Sequence, residues 1–277
     1  MHRVAQFLIL RFTMLIALRA GARAAGVFLV IPLGYLALLP ALLALAPFPR
    51  ARVDFTSWYF RRWAAAILAV LGITVRVSGV APEPPFFMVS NHLGYVDIIV
   101  LASRLRCVFL AKREVRSWPL VGLICATLGT IFIDRGQRRD IPRVLAELEA
   151  AMARGLGVVI FPEGTSTRGA TVEPFKSPLL ALATRLGLPV HHATLRYETP
   201  ASDPPAYLAV NWYGDTHFAR HALGLLQVSR VEASLHLDPE PVAETDRKLL
   251  AERLRAAILA RFEPMVGDGE GSAEPAR

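Results

Sequence analysis

The chain has 277 residues, 53% of them hydrophobic, and its mean hydropathy is +0.40. This composition argues against a fully soluble domain and predicts a membrane-seeking segment. The formal net charge of +8 favours anionic lipids or phosphorylated substrates as partners, and we expect no nucleic acid, which would leave the apolar excess unexplained. Two cysteines, Cys107 and Cys125, make no disulfide framework and fit a reducing, cytoplasm-facing catalytic part.

The N-terminal quarter of the chain is the membrane-seeking part. No residue from 24 to 49 is charged, and about 20 helical residues suffice to span a bilayer core. Pro32 and Pro40 within this run predict a broken, tilted or re-entrant helix. Basic residues flank both ends, so a hairpin on the cytoplasmic side is as compatible as a single span. We therefore assign residues 1–71 to membrane-associated hydrophobic and amphipathic helices.

After residue 72 the pattern changes to short strands alternating with helices. This alternation predicts an α/β domain over residues 72–264, followed by a disordered tail over 265–277. The clearest helix spans 140–155, with Asp140 expected as its N-terminal cap. Further helices are predicted at 177–187 and 246–262, and strands at 73–77, 86–89, 108–111, 130–133, 158–161, 190–196, 206–212 and 231–237.

The first chemically rich segment is Asn91-His92-Leu93-Gly94-Tyr95-Val96-Asp97, directly after a predicted strand. Histidine transfers protons near neutral pH, and a carboxylate on its second ring nitrogen fixes the tautomer. No Gly-x-Ser-x-Gly motif is present, so the simplest chemistry is attack by a substrate hydroxyl assisted by His92. The alternative is that Asn91 and Asp97 are turn and cap residues beside a loop histidine.

Two more strand ends carry polar motifs. Residues 129–135 read Gly-Thr-Ile-Phe-Ile-Asp-Arg and end on Arg135, whose guanidinium suits a phosphate. Residues 161–168 include Glu163, Gly164 and Arg168, which suit a substrate hydroxyl, a close ligand approach and a phosphate, respectively. Taken singly, the first is compatible with a solvated basic loop and the second with an ordinary turn.

Together, the order and spacing of these motifs resemble the glycerolipid acyltransferase family, which includes the bacterial 1-acylglycerol-3-phosphate acyltransferases. The matching motifs are Asn-His-x4-Asp, Gly-x-x-Phe-Ile-Asp-Arg and Phe-Pro-Glu-Gly-Thr, and the resemblance covers about residues 70 to 215. It implies a mixed sheet flanked by helices.

The resemblance also implies roles. The family transfers a fatty acyl group from acyl-CoA or acyl-carrier protein to a hydroxyl of a lysolipid, with no metal or resident cofactor. By analogy His92 is the general base and Asp97 its partner. The implied substrate-binding residues are Asn91, Arg135, Glu163, Gly164, Thr165 and Arg168, of which Arg135 would hold an acceptor phosphate.

Some residues depart from the family pattern. Ser166 follows Gly-Thr where the family often has Arg, and His192 stands where the fourth motif usually has Pro. Residues 211–215, Asn-Trp-Tyr-Gly-Asp, look like a bacterial subset in which some members act on other lysolipids, such as lyso-ornithine lipid. The leading hypothesis is phosphatidate synthesis from 1-acylglycerol 3-phosphate at the cytoplasmic membrane. The alternatives are acylation of another lysolipid, and a non-catalytic membrane lipid-binding protein.

Overall fold

A computed structural model describes residues 2–118, 121–134, 136–137 and 139–266, without the side chains of residues 2–10 and 12. Arg135 and the predicted tail from residue 267 onward lie outside the described residues. Met265 donates its backbone N–H to the Gly169 carbonyl at 2.8 Å, and Val266 is buried, so packed chain continues past residue 264.

The N-terminal region is a helical hairpin of α1 (His2–Ala44) and α2 (Pro49–Leu71). The predicted break at the prolines is wrong, because α1 is one continuous helix that contains Pro32 and Pro40. Contacts from α2 hold it on both sides of Pro32: Tyr59 Oη donates to the Gly34 carbonyl at 2.6 Å, and Trp63 Nε1 to the Val30 carbonyl at 3.0 Å. By length and composition, α1 is able to cross a membrane over Thr13–Ala44.

A seven-stranded sheet forms the centre of the domain that follows. Its strands are β1 (Ile73–Gly79), β2 (Phe87–Ser90), β3 (Cys107–Lys112), β4 (Ile131–Ile133), β5 (Gly157–Ile160), β6 (Val190–Glu198) and β7 (Val231–Leu237). They lie in the order β1-β7-β6-β2-β5-β3-β4, and every neighbouring pair is parallel except β6 with β7. The predicted mixed sheet is therefore confirmed.

Helices cover both faces of the sheet. They are α3 (Tyr95–Arg104), α4 (Val121–Thr127), α5 (Asp140–Ala153), α6 (Ala181–Leu186), α7 (Ala206–Ala209), α8 (Phe218–Gln227) and α9 (Arg247–Leu259), with 3₁₀ turns at Arg113–Ser117 and Ser177–Leu180. Apolar side chains of α2, α3 and α8 pack on one face, and those of α5, α6 and α9 on the other. Strands β2 to β6 run parallel to one another, so they end at the same edge of the sheet, where a site can form.

The hairpin is attached to this domain by two arginines of α1. Arg23 donates to the carbonyls of Leu226, Val228 and Ser229, and Arg19 donates to that of Gln227, at the C-terminal end of α8. The last carbonyls of a helix lack intrahelical partners and carry its negative dipole end. The two guanidinium groups supply the missing donors, so the hairpin and α8 are held together by charge-assisted bonds.

Two predictions of local structure are wrong. The expected strand at 206–212 is the short helix α7, which starts after Pro205; a short apolar run does not by itself distinguish strand from helix. Asp140 is not the N-cap of α5, which is Arg139. The Asp140 carboxylate instead accepts the Asp134 backbone N–H at 2.8 Å and pairs with Arg143 at 2.7 Å.

Candidate active site

The segment after β2 brings His92 and Asp97 together. His92 Nδ1 lies 2.8 Å from Asp97 Oδ2. Asp97 is in the first turn of α3, so the loop over residues 91–94 folds back onto the start of that helix. Because an ionised carboxylate only accepts hydrogen bonds, this contact assigns the ring proton to Nδ1 and leaves Nε2 as the basic nitrogen.

Asp97 is completely buried, and both of its carboxylate oxygens accept hydrogen bonds. Oδ2 also accepts the backbone N–H groups of Leu93 (2.6 Å) and Gly94 (3.0 Å), and Oδ1 accepts the hydroxyl of Tyr197 at 2.7 Å. Burial and the neighbouring Asp97 charge raise the pKa of Tyr197, so its hydroxyl stays a donor. Burying a carboxylate is costly unless such donors surround it, and here they hold it in one orientation toward His92.

The His92 ring is held by stacking as well. It lies on the Phe161 ring with a centroid separation of 4.1 Å and an interplanar angle of 17°. The backbone carbonyl of His92 accepts the Thr167 N–H at 2.9 Å. The side chain keeps 19% of its surface exposed, so the ring is both oriented and reachable.

Glu163 lies directly beneath the His92 loop. Its Oε1 accepts the His92 backbone N–H at 2.6 Å and its Oε2 accepts the Glu173 N–H at 2.8 Å, and the residue is only 3% exposed. These two bonds tie the His92 loop to the segment at Glu173, and the predicted contact of Glu163 with a substrate hydroxyl stays a prediction. Burial raises the pKa of Glu163 to about 7, against the lowering effect of these two N–H donors. Its bond to the His92 N–H helps to position the His92 loop.

Asn91 lies just past the end of β2. Its side-chain amide donates to the Leu195 carbonyl at 2.9 Å and accepts the Leu195 N–H at 2.7 Å, and the residue is 1% exposed. This pair continues the β2–β6 ladder by one step beyond Ser90. Asn91 therefore fixes the exit of β2, and its predicted substrate contact stays a prediction.

The remaining predicted binding residues lie on the neighbouring loop. Thr165 is exposed and Arg168 is half-buried. Gly164 has a φ of +76°, and a Cβ there would come 2.7 Å from Lys176 Nζ. Sequence reasoning missed Lys176, which follows the loop and donates its backbone N–H to the Pro162 carbonyl. Arg135, the residue expected to hold a phosphate, lies outside the described residues.

Other residues of the site could not be found from the motifs. Tyr197 is on β6, 100 residues from the carboxylate it contacts. Trp212 donates its backbone N–H to the Leu93 carbonyl at 2.9 Å, and a Cβ on Gly94 would come within 2.9 Å of that nitrogen. The segment noted in the sequence for its unusual Asn-Trp-Tyr-Gly-Asp pattern therefore packs directly against the His92 loop.

The adjacent histidines at 191 and 192 lie outside this arrangement. His192 is buried, and its Nε2 lies 3.4 Å from Asp238 Oδ2, near Arg261. Burial lowers the pKa of His192. Among the described residues, no cluster of three or more His, Cys, Asp and Glu is placed to hold a metal ion.

Comparisons with known proteins identify the family to which this chain is similar. Residues 72–195 match the family model described as Acyltransferase. The lyso-ornithine lipid O-acyltransferase of Pseudomonas aeruginosa is 35% identical over 216 residues, which cover 76% of this chain and 80% of that protein. The 1-acyl-sn-glycerol-3-phosphate acyltransferase of Neisseria meningitidis is 35% identical over 133 residues, or 47% of this chain and 52% of the relative.

A solved structure has the same fold. The crystal structure of the 1-acyl-sn-glycerophosphate acyltransferase from Thermotoga maritima matches with a TM-score of 0.63 and 19% identity, covering 89% of this chain and 96% of the other. At that identity the match supports the fold alone. With the family model and the Pseudomonas relative, the result is plain: this chain belongs to the glycerolipid acyltransferase family.

Proposed function

We propose that this protein is a membrane-bound O-acyltransferase that moves a fatty acyl group from a thioester donor to the hydroxyl of a lysolipid. The observation that carries the proposal is the His92–Asp97 pair, with Nδ1 bound to a carboxylate and Nε2 on an accessible ring. Such a pair is typical of general-base catalysis and is not required for lipid binding alone.

The reaction then follows from the positions of the protons. His92 Nε2 takes the proton of the acceptor hydroxyl as its oxygen attacks the thioester carbonyl carbon. The tetrahedral intermediate collapses with cleavage of the carbon–sulfur bond, and the thiolate takes the proton from the imidazolium. Asp97 stabilises that imidazolium throughout. The scheme forms no covalent bond to the enzyme and needs no metal or resident cofactor.

For the acceptor, we favour lyso-ornithine lipid. The support comes from relatives of that name, among them the Pseudomonas protein at 35% identity over 80% of its length. The Trp212 segment, which lies against the His92 loop, belongs to the pattern that pointed to this alternative in the sequence. An ornithine headgroup has no phosphate, which agrees with the displaced arginine at position 168.

The second candidate acceptor is 1-acylglycerol 3-phosphate, with phosphatidate as product. Its support is the Gly-x-x-Phe-Ile-Asp-Arg motif ending at Arg135 and the Neisseria relative, which matches over about half of each chain. In either case we propose acyl-CoA or acyl-carrier protein as donor. We place the enzyme at the cytoplasmic membrane through α1 and α2, with the catalytic domain on the cytoplasmic side.

An assay of membranes containing the protein separates the candidates. Labelled acyl-CoA and acyl-carrier protein are each offered with lyso-ornithine lipid, 1-acylglycerol 3-phosphate and a lysophosphatidylcholine control. We expect the fastest ester formation on lyso-ornithine lipid. Transfer to 1-acylglycerol 3-phosphate alone would establish the second candidate, and no transfer to any acceptor would favour a non-catalytic lipid-binding protein.

Arg135 offers a finer test of the acceptor. Arg135→Ala should raise the KM for 1-acylglycerol 3-phosphate, because a guanidinium–phosphate contact is lost. The matched control is Arg139→Ala, which removes the same charge from an exposed residue four positions away. Equal effects of the two variants would mean that only the general positive field matters.

A further inference from the structure

A cavity of about 420 Å³ lies where the hairpin meets the catalytic domain. Its volume falls in the range of about 300–1,000 Å³ typical of small-molecule sites. One wall is a single face of α2, with lining residues from Pro49 to Arg61 at helical spacing. The opposite wall consists of the end of α3, the start of β3 and the segments after α4 and α5.

The cavity is at the other edge of the sheet from His92. Cys107 and Val108 begin β3, and Leu156 directly precedes β5, so the lining marks where parallel strands start. His92 follows the end of β2, which runs parallel to them. At about 3.3 Å per residue, the length of a strand separates the two places. The cavity is thus distinct from the catalytic pair.

The chemistry of the lining is amphiphilic and positively charged. Apolar side chains such as Val53, Phe60 and Leu105 form most of the surface, and none of the lining residues is acidic. Four arginines belong to it: Arg52, Arg61, Arg106 and Arg154. An apolar cavity with several guanidinium groups suits a ligand that has both a hydrocarbon part and an anionic head.

These arginines are mostly uncompensated. Arg106 pairs with Asp54 at 2.6 Å, whereas within the described chain Arg52, Arg61 and Arg154 form no ion pair. Three guanidinium groups without a carboxylate partner in that part of the chain concentrate positive charge at the cavity, which favours an anionic ligand there.

We propose that this cavity binds the phosphate headgroup of an anionic phospholipid. The cavity reaches Ala46 and Pro49 at the hairpin turn, beside the exposed side chains of Leu43 and Phe48. Hydrocarbon chains can therefore run from the cavity into the bilayer along the hairpin. This continuity favours a lipid over a free phosphate, and basic pockets beside membrane helices are known to hold such headgroups.

The test is a binding measurement on the purified full chain in neutral detergent micelles. Thermal unfolding midpoints are recorded against increasing phosphatidylglycerol, and separately against phosphatidylcholine with the same acyl chains. A ligand that binds only the folded state raises the midpoint saturably. We expect this rise with phosphatidylglycerol and none with phosphatidylcholine. Acyl transfer is not the readout, so the outcome is independent of the proposed function.

The chain offers a matched pair of variants. Arg52→Gln with Arg61→Gln removes two lining charges and should weaken the apparent affinity at least about tenfold for each arginine. Arg50→Gln with Arg62→Gln removes the same charges from exposed α2 residues outside the lining, and should change it less than about twofold. Ser57→Phe fills the cavity without changing charge and should also abolish the rise.

Four results would overturn the proposal. Equal stabilisation by phosphatidylcholine would mean that no anionic head is recognised. Equal weakening by the Arg50 and Arg62 substitutions would reduce the effect to attraction by the whole surface. A midpoint rise reproduced by inorganic phosphate or glycerol 3-phosphate would make the cavity a site for soluble anions. If the double arginine variant does not fold, Ser57→Phe still decides, because retained binding there contradicts the assignment.

Discussion

Charged side chains are paired differently at the two edges of the sheet where the parallel strands end and begin. At the edge where β2 ends, the carboxylates of Asp97 and Glu163 are buried, and each of their oxygens accepts at least one hydrogen bond. At the edge where β3 begins, four arginines line a cavity, and among the described residues only Arg106 of these has an ion-pair partner. Charges whose hydrogen bonds are complete hold a structure in place, whereas unpaired like charges around a cavity favour a ligand of opposite charge.

The largest effect on activity should come from removing the imidazole ring of His92. His92→Ala removes the base and should lower kcat by about 10²–10⁴-fold, with membrane association unchanged. The measurement is acyl transfer in membranes with labelled donor. His217→Ala, at an exposed histidine on the α8 N-terminus, is the control and should retain activity. Normal turnover in His92→Ala would contradict the proposed general-base mechanism.

The contribution of Glu163 to the stability of the fold should depend on pH. Its folded-state pKa of about 7 lies above the ordinary value of 4.5, so the folded protein holds the proton more tightly than the unfolded chain. This difference adds about 3 kcal/mol at most to the free energy of unfolding. The contribution is fully present below about pH 4.5 and is lost as the pH rises to about 7.

Glu163→Gln cannot ionise, so its stability should lack this slope between about pH 4.5 and 7. At pH 8 the variant should still have lower activity, because an amide accepts only one of the two backbone N–H groups well. Unfolding free energies measured across that pH range check the first expectation. An unchanged slope in the variant would assign the pH dependence to another group.

Tyr197→Phe tests whether the long-range hydroxyl contributes to the buried carboxylate. Loss of the donor leaves Asp97 Oδ1 without its 2.7 Å partner and should cost about 1–3 kcal/mol of stability. We expect kcat to fall by about tenfold, since Asp97 is then less firmly oriented toward His92. Tyr213→Phe, at a half-exposed loop tyrosine, should change neither quantity. Matching losses in both variants would reduce the role of Tyr197 to general packing.

The smallest effect is expected at the solvent margin of the same edge. Thr165 is exposed, so Thr165→Ala should change stability by less than about 0.5 kcal/mol. If its hydroxyl contacts the acceptor as predicted, KM should rise severalfold with kcat unchanged. Initial rates at varied lysolipid concentration measure both. An unchanged KM removes Thr165 from the substrate-binding residues.

Sequence reasoning reached the parts of the site that are local in the chain. His92 and Asp97 are five residues apart, and their contact was predictable from a loop that enters a helix. Tyr197 was not, because its hydroxyl meets Asp97 only through the pairing of β6 with β2. The bonds that Glu163 accepts from the backbone N–H groups of His92 and Glu173 were not predictable from its motif either.

The fold shows the same division. The mixed sheet, α5 and α9 follow from hydrophobic periodicity and the family motifs. The sequence pattern does not delimit α3, α4 or α8 and predicts a strand at α7, since short segments adopt their structure from their surroundings. The arginine-lined cavity combines four separate segments and has no signal along the chain.

The bonds from Arg19 and Arg23 to the end of α8 have a mechanical consequence. With α1 in the membrane as proposed, these bonds should carry a change in the tilt of α1 into the α/β domain. A helix whose apolar length differs from the bilayer thickness tilts to compensate. The height of His92 above the lipid should then vary with membrane thickness, which would make turnover respond to the chain length of the surrounding lipids as well as to that of the substrate.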